Sequence, residues 1–268
     1  MSNPIRILHF VSSISKNSGV MSVIMNYYRY LDKNKVQFDF VFFKDYYPSY
    51  AEEINMMGGK LFLINSPSLS INFFKQLNDV FNHKNEAYKA LHLHEVYLAF
   101  CISPIAKKNG IQNIIAHTHT TKYSEKKSSS LRNRLMCIPL KKISTHLMSC
   151  SYASAKFWYG ENSILNNDVY ILRNAIDIEN FKFSESKRNE MRLKMGLSNK
   201  FIIGHVGRFS EQKNHVFIIK IFSEIYKKEK DAVLILIGDG PLRSRIEKLV
   251  IESGLGNNVL FLGTRNNV

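Results

Sequence analysis

The sequence has few of the residues that mark secreted or membrane-spanning proteins. Its 268 residues include three cysteines, Cys101, Cys137 and Cys150, and no Cys-x-x-Cys pair. A disulfide framework is therefore not expected, and a reducing compartment is indicated. The N-terminus MSNPIRILHFVSS has no basic region before its short apolar run, which predicts a first strand rather than a signal peptide. Because no apolar run reaches about 18 residues, we expect a cytoplasmic protein.

Acidic residues are also scarce. The chain has 22 aspartates and glutamates against 37 lysines and arginines, which gives a net charge of +15. Such an excess suggests nucleic acid, an anionic membrane surface or a phosphorylated substrate as a partner. The excess is concentrated in residues 122–142, where Glu125 is the single acid. The basic residues of this segment are Lys122, Lys126, Lys127, Arg132, Arg134, Lys141 and Lys142.

Segment 122–142 could contact nucleic acid, contact a membrane or form a solvated basic face. It has few interleaved aromatic residues and no accompanying nucleic-acid motif, so nucleic acid is not expected as a partner. A basic amphipathic helix with Leu131 and Leu135 fits the surface of an anionic membrane better, and a solvated basic face is the alternative. Pro139 predicts a kink or a split in this helix.

Apolar runs of strand length alternate with amphipathic helical segments along the chain. This alternation predicts an α/β fold built from doubly wound parallel sheets. We predict a first domain over residues 1–174, a linker over residues 175–187 and a second domain over residues 188–268. The second domain is small by the usual size of domains, so we expect it to be incomplete.

The segment KFIIGHVGRFSEQKNH, residues 200–215, organises the second domain. An apolar strand enters a turn at Gly207, and the cations Arg208 and Lys213 precede an amphipathic helix. Cations at the carboxyl end of a parallel strand suit a diphosphate, and Gly207 would let the backbone approach such a ligand. Solvated loop cations are the other interpretation.

A second glycine-rich turn, Gly238-Asp239-Gly240-Pro241, follows a later strand. Arg243 occupies the position where a dinucleotide fingerprint has its third glycine. The N-terminal loop at 12–19 contains a single glycine, Gly19. We therefore predict no NAD(P) site.

Two His-x-His pairs follow strands of the first domain. His92 with His94, and His117 with His119, each place two imidazoles on one side of an extended segment. Metallohydrolases use such pairs, so a metal-dependent hydrolase is an alternative function. No carboxylate cluster accompanies them, and histidines bonded to backbone are the third interpretation.

In their order and spacing these segments resemble the family-four retaining glycosyltransferases of GT-B architecture, in which two Rossmann-like domains face a cleft. Within that family the chain is similar to the bacterial capsule and exopolysaccharide branch. The matching stretches are residues 5–11, Ser18-Gly19-Val20, 115–121, 171–177, Gly207-Arg208 with Lys213, 236–241 and 262–265.

The resemblance implies retaining transfer of a sugar from a nucleoside-diphosphate sugar, with a UDP-sugar as the expected donor, to a lipid-linked or polysaccharide acceptor. It implies catalytic roles for His117, Arg208 and Lys213. It implies donor-binding roles for Gly19, His119, Gly207, Gly238, Gly240, Gly263, Thr264 and Arg265. Arg208 and Lys213 would stabilise the departing diphosphate, and His117 would face the sugar. No Asp-x-Asp is present, so no metal and no cofactor are expected. The resemblance also implies that the enzyme would work at the inner face of the cell membrane.

The chain departs from the family pattern at several places. Ser18 replaces the first glycine of the usual pair, and Ala175 replaces the glycine of the linker turn. The Glu-x7-Glu pair of the family would fall beyond Val268. We therefore expect a C-terminally truncated chain that is weak or inactive, and an inactive remnant is an alternative to an active enzyme.

Overall fold

The computed structural model describes residues 3–83 and 87–265, which form two compact units divided between Ile178 and Glu179. Each unit contains a parallel sheet with helices packed against it. This arrangement confirms the predicted α/β fold class. The fold class was predictable because both faces of a parallel sheet must be covered, which requires apolar strands alternating with helices along the sequence.

The strands and helices follow the predicted alternation. In chain order, the strands are β1 (Ile5–Phe10), β2 (Val36–Phe42), β3 (Leu61–Leu63), β4 (Tyr88–Leu93), β5 (Asn113–Thr118), β6 (His146–Ser149), β7 (Val169–Ile171), β8 (Phe201–Val206), β9 (Ala232–Ile237) and β10 (Val259–Phe261). The α-helices are α1 (Gly19–Tyr30), α2 (Ala51–Met56), α3 (Ile71–Phe81), α4 (Ala99–Lys108), α5 (Lys127–Met136), α6 (Leu140–Ile143), α7 (Tyr152–Tyr159), α8 (Glu161–Leu165), α9 (Glu185–Lys194), α10 (His215–Lys228) and α11 (Arg243–Glu252).

The sheet of unit 1 has seven strands in the order β3-β2-β1-β4-β5-β6-β7. The chain starts at the centre, moves outward from β1 to β3, and then crosses back to β4. The point between β1 and β4 where the direction reverses is where doubly wound sheets bind ligands, at the carboxyl ends of their strands. The register of this strand pair places His9 directly beside His92.

Helices cover both faces of this sheet. Side chains alternate along each strand, so Leu8 and Phe10 enter the core shared with α3 and α4. Phe38 and Phe40 enter the opposite core, against α1 and α2. The ring of His9 packs on both of these phenylalanines. The strand histidine therefore belongs to the face that α1 covers.

Helix α1 also holds the end of unit 1. Asn26 donates a hydrogen bond from Nδ2 to the carbonyl of Ala175 at 2.8 Å. The Tyr27 hydroxyl donates to the carbonyl of Arg173 at 2.6 Å. Residues that are far apart in the sequence are thereby joined, and the chain leaves unit 1 beside its first helix.

Unit 2 has a three-stranded sheet in the order β10-β9-β8. One face packs on α10 and α11, through residues such as Phe222 and Ile246. On the other face Val233 and Ile235 pack with Leu197, which follows α9. All three strands run parallel, so their carboxyl ends and the loops that follow them lie at one edge.

Some boundaries differ from the predictions. The basic helix expected in segment 122–142 is split into α5 and α6, as predicted from Pro139, which has no N–H for the helix to continue. Helix α8 was not predicted, since it is only one turn long and follows Gly160 directly. The predicted linker contains a 3-10 turn at Ile178–Phe181 and the start of α9.

Within the described ranges, no helix is long and apolar enough to cross a lipid bilayer.

Candidate active site

Five histidines lie together near the carboxyl ends of the central strands of unit 1. His9 lies on β1 and His92 on β4, whereas His94 follows β4. His117 lies on β5, and His119 follows it. The two predicted His-x-His pairs are thus brought together, with His9 as an additional member. We call this group the histidine cluster.

Hydrogen bonds link the rings of the cluster. Nε2 of His94 lies 3.0 Å from Nδ1 of His9, and Nδ1 of His94 lies 2.8 Å from Nε2 of His119. Nε2 of His92 lies 3.1 Å from Nδ1 of His117. Among the described residues, Nε2 of His9 and Nε2 of His117 are buried without a hydrogen-bond partner. Buried polar atoms are rarely left unsatisfied, so each of these two requires an explanation.

The environment keeps all five imidazoles neutral near pH 7. Burial is the largest cause, because it disfavours the charged ring. It lowers the pKa of His92 to about 3 and the pKa of His119 to about 4. The pKa values of His9, His94 and His117 are lowered by burial and then by the neighbouring imidazoles. A neutral imidazole offers one N–H donor and one lone pair.

A cavity of about 170 Å³ adjoins the cluster. Val23 and Tyr27 of α1 line one side of it, and all five histidines line the other. His117, the predicted catalytic histidine, is only 2% exposed and uses Nδ1 to contact His92. His119, the predicted donor-binding histidine, is partly exposed.

Gly19 is the first residue of α1. The hydroxyl of Ser18 caps this helix by accepting a hydrogen bond from the backbone N–H of Met21 at 3.3 Å. One of the free N–H groups at the helix start is therefore already used. No atom lies within 4 Å of the position that a β-carbon on Gly19 would occupy, so packing within unit 1 does not require glycine here.

The other predicted site residues lie in unit 2, on three loops at the carboxyl edge of its sheet. Backbone hydrogen bonds join these loops to one another. The N–H of Phe209, in the loop after β8, donates to the carbonyl of Asp239 in the loop after β9 at 3.0 Å. The N–H of Gly238 donates to the carbonyl of Gly263, after β10, at 2.8 Å. The three loops therefore hold each other in place.

Arg208 and Lys213 are both exposed in the loop after β8. Lys213 ends a short 3-10 turn that leads into α10. Neither side chain has an ion-pair partner in the ranges 3–83 and 87–265. Their charges are therefore available to an anion at this edge. A fixed guanidinium and a mobile ammonium match the oxygens of a diphosphate.

Gly207 and Gly240 of unit 2 lie close to other groups of the protein. A β-carbon on Gly207 would lie 3.0 Å from Nε2 of His205 and 3.3 Å from Cδ of Lys213. Gly207 thus makes room for these two side chains. A β-carbon on Gly240 would lie 2.5 Å from the carbonyl oxygen of Phe209. The glycine at 240 is required by contact between loops within the protein.

The remaining predicted donor-binding residues, Thr264 and Arg265, are exposed after β10. Nε of Arg265 donates to the carbonyl of Leu262 at 3.1 Å, which directs this side chain back along its own loop. Both residues follow Gly263, whose carbonyl accepts the hydrogen bond from Gly238 in the loop after β9.

Two histidines of unit 2 were not predicted: His215, which is buried, and His205, which is partly buried. The ring of His215 stacks on Phe209 at 4.1 Å and meets the ring of His205 edge-on at 4.9 Å. Burial lowers the pKa of both, and the charge of Lys213 lowers them further. Their position on either side of Gly207 and Lys213 in the sequence was a signal that could have identified them.

The structure is similar to solved glycosyltransferases. It superposes on Anabaena HepE, solved in complex with UDP-glucose, with a TM-score of 0.77 at 17% identity, covering 98% of this chain and 70% of HepE. WaaG, a glycosyltransferase of lipopolysaccharide biosynthesis, superposes with a TM-score of 0.67 at 13% identity, covering 97% of this chain and 70% of WaaG. At such identities the likeness establishes the fold alone, and that fold is of the GT-B class.

Sequence relatives then define the family. Residues 187–268 match the model described as glycosyl transferases group 1. The chain is 31% identical over 270 residues to the putative glycosyltransferase EpsF of Bacillus subtilis strain 168, covering 98% of this chain and 69% of EpsF. The chain belongs to the group 1 glycosyltransferase family, and it is a transferase. This membership sets aside the hydrolase that the His-x-His pairs had suggested.

A shorter stretch resembles a Campylobacter jejuni enzyme named N-acetylgalactosamine-N,N'-diacetylbacillosaminyl-diphospho-undecaprenol 4-alpha-N-acetylgalactosaminyltransferase. The identity is 34% over 105 residues, which cover 39% of this chain and 26% of that protein.

Proposed function

We propose that this protein transfers a sugar from a UDP-sugar to a lipid-linked sugar or a polysaccharide, with retention, in capsule or exopolysaccharide synthesis. One observation carries the proposal: Arg208 and Lys213 are exposed at the edge where the three loops of unit 2 are joined. Two cations at the carboxyl end of a parallel sheet form a suitable clamp for a diphosphate.

The relatives support the choice of donor and acceptor. HepE, which has the same fold, was solved in complex with UDP-glucose, and this supports a uridine nucleotide. The Campylobacter relative has diphospho-undecaprenol in its name, which supports a lipid-linked acceptor. The similarity to EpsF over nearly the whole chain supports a polysaccharide product.

The chemistry follows from charge development. As the acceptor hydroxyl approaches the sugar, the diphosphate leaves with its negative charge. Arg208 and Lys213 would stabilise that charge, so no divalent metal is needed at the diphosphate. Neutral imidazoles of His117 and His119 would donate or accept hydrogen bonds with the sugar, and backbone N–H groups beyond Gly19 would assist.

Peripheral contact with the inner face of the cell membrane forms part of the proposal. Leu131, Leu135 and Ile138 are 62%, 58% and 75% exposed on and beside α5, among the basic residues of segment 122–142. Exposed apolar groups next to cations suit the interface of an anionic bilayer. A lipid-linked acceptor would be presented there.

Calorimetric titration of the 268-residue chain with UDP, UMP and uridine tests the clamp. We expect UDP to bind more tightly than UMP, and uridine to bind weakest, because the diphosphate makes the charged contacts. Equal affinity for UDP and uridine would contradict the proposal.

A transfer assay tests the reaction itself. UDP-sugars are offered with a polyprenyl-diphosphate-linked sugar in anionic vesicles and EDTA, and NMR determines the anomeric configuration of the product. The expected product keeps the configuration of the donor. An inverted product would refute retention, and transfer that stops in EDTA would refute the metal-free diphosphate site.

A further inference from the structure

We propose that the histidine cluster binds one divalent transition-metal ion through His94, His117 and His119. Nitrogen atoms of these three side chains all lie within 4.8 Å of one another. Tetrahedral ligands at the usual zinc–nitrogen distance lie about 3.4 Å apart. Small rotations of the rings are therefore sufficient to bring three lone pairs onto one ion. The proposal goes beyond sugar transfer, and it does not depend on the donor site.

The hydrogen bonds determine which nitrogen each ligand offers. Nδ1 of His117 contacts His92, so Nε2 is the atom of His117 that can face an ion. That atom is buried and has no partner among the described residues. Nε2 of His94 contacts His9, which leaves Nδ1 of His94 beside Nε2 of His119 at 2.8 Å. One nitrogen from each of the three side chains lies within 4.8 Å of the others, and the hydrogen bonds assign these roles to Nδ1 of His94, Nε2 of His117 and Nε2 of His119.

The two other histidines complete the arrangement. If His117 presents the lone pair of Nε2, its proton is on Nδ1 and is donated to His92. If His94 presents Nδ1, its proton is on Nε2 and is donated to His9. Metal-binding imidazoles usually donate their second N–H in this way, which fixes both the tautomer and the ring orientation. His9 and His92 are thus positioning residues for the ligands.

A second group of three, His9, His92 and His94, also has its nitrogens within 4.8 Å of one another. It is the weaker candidate for two reasons. Two of its three members, His9 and His92, are only 2% and 8% exposed, whereas the proposed group has one member this deeply buried, His117. Their nitrogens that contact His94 and His117 would also have to give up two hydrogen bonds, whereas the proposed group gives up one, between Nδ1 of His94 and Nε2 of His119. His119, by contrast, is partly exposed.

The cavity and the donor atoms indicate the kind of ion. Three imidazoles with no carboxylate suit Zn²⁺, Co²⁺, Ni²⁺ or Cu²⁺, whereas Mg²⁺ and Ca²⁺ prefer oxygen ligands. The cavity of about 170 Å³ between the cluster and α1 leaves room for a water molecule as a fourth ligand. Three protein ligands and one open position are typical of a zinc ion that can exchange ligands.

An ion at this place would compete with the sugar contacts proposed for His117 and His119, because a lone pair on zinc is not available to a substrate. This part of the inference rests on the proposed function. Zinc is therefore expected to slow transfer, and EDTA to restore it.

The experiment uses the 268-residue chain, stripped with EDTA and then dialysed. Calorimetric titration with ZnSO₄, and the visible spectrum with CoCl₂, report stoichiometry and ligand geometry. We expect one ion per chain and a tetrahedral cobalt spectrum. His119→Ala should weaken binding by at least about tenfold, and His92→Leu, which cannot accept the hydrogen bond of His117, by about 10–100-fold, the usual effect of losing a partner of a ligand. His146→Ala, at the exposed first residue of β6, is the control and should bind as the parent does.

Near-ultraviolet circular dichroism shows whether each variant is folded. Because His119 is partly exposed, His119→Ala should fold and can test the proposal even if substitution of the buried His92 prevents folding. No stoichiometric zinc binding, or equal binding by His119→Ala and His146→Ala, would overturn the proposal. UDP titration of the same samples tests the diphosphate clamp separately from the zinc site. The clamp residues lie in unit 2, so an absence of UDP binding would leave the zinc result unaffected.

Discussion

The backbone carbonyl of Gly207 lies against the α-carbon of Gly238, so closely that a β-carbon on Gly238 would overlap it. Gly238 also has a φ of +134°, which residues with side chains rarely adopt. We expect Gly238→Ala to destabilise unit 2 by about 1–3 kcal/mol, the range for such backbone strain. Denaturant-dependent hydrogen exchange of peptides from β8 and β9 would measure this loss.

Gly256→Ala is the matched control for that substitution. Gly256 is exposed, and no atom lies within 4 Å of its β-carbon position. The expected change is within about 0.5 kcal/mol, as for other surface positions. If both variants lost the same stability, contact between the loops would not be what requires glycine at 238.

The second prediction concerns the diphosphate clamp. Arg208→Ala and Lys213→Ala should each remove about 2–4 kcal/mol of transition-state stabilisation in an active form of the enzyme, the scale of one preorganised electrostatic donor. Both variants should also weaken UDP binding more than uridine binding, because each removes a charge from the phosphates. Lys220→Ala, which removes an exposed lysine of α10, is the control. Parent rates in both clamp variants would show that the diphosphate binds elsewhere.

The third prediction concerns pH and His215. This ring is 2% exposed, and burial is the main reason that its pKa is lowered, with His205 and Lys213 contributing. In the unfolded chain the imidazole of His215 becomes protonated as the pH falls through about 6.5. In folded unit 2, burial opposes this protonation. The contribution of His215 to the free energy of unfolding of unit 2 is therefore constant above about pH 6.5. Below that pH it reduces stability by up to about 1.4 kcal/mol per pH unit.

Substituting His215→Phe keeps an aromatic ring against Phe209 but removes the proton. Hydrogen exchange of β9 peptides between about pH 5 and 7.5, corrected for the intrinsic rate, should show a flatter stability profile for this variant. His146→Gln, at an exposed position of unit 1, should leave the profile unchanged. An unchanged slope in His215→Phe would mean that this ring does not control the acid sensitivity of unit 2.

The fourth prediction concerns the membrane. The double variant Lys126→Glu and Lys127→Glu should sediment less with anionic vesicles, because each lysine near an anionic surface contributes about 1 kcal/mol. Added salt should release the parent protein as well, since screening acts over about 8 Å at physiological ionic strength. The control is the double variant Lys220→Glu and Lys228→Glu, which makes the same charge change on α10 and should sediment with anionic vesicles as the parent does. Equal sedimentation of the parent with neutral and anionic vesicles would contradict the idea.

The fold class could be predicted because its signal is local. A run such as Ala232–Ile237 is apolar on both faces and is followed by Gly238 and a helix, which identifies a buried parallel strand without any knowledge of its neighbours. Strand order is also constrained by the alternation. Helix α8 could not be predicted, since five residues are too few to show a helical period.

The candidate site was predicted only in part, because its geometry depends on contacts across strands. Each His-x-His pair was visible in the sequence, but the bond between His92 and His117 depends on the register of β4 with β5. His9 joins the group only because β1 lies beside β4 in the sheet. The closeness of His205 and Lys213 to Gly207 could not be predicted either, because it depends on the conformation of the loop after β8.

The bonds from α1 to the end of unit 1 have a consequence for synthesis. Proteins emerge from the ribosome N-terminus first, and Asn26 and Tyr27 are made long before their partners at Ala175 and Arg173. The nascent chain therefore carries its first helix with these side chains unpaired until β7 has left the exit tunnel. During that interval Leu172, which lines the cavity beside the histidine cluster, is also not yet in place.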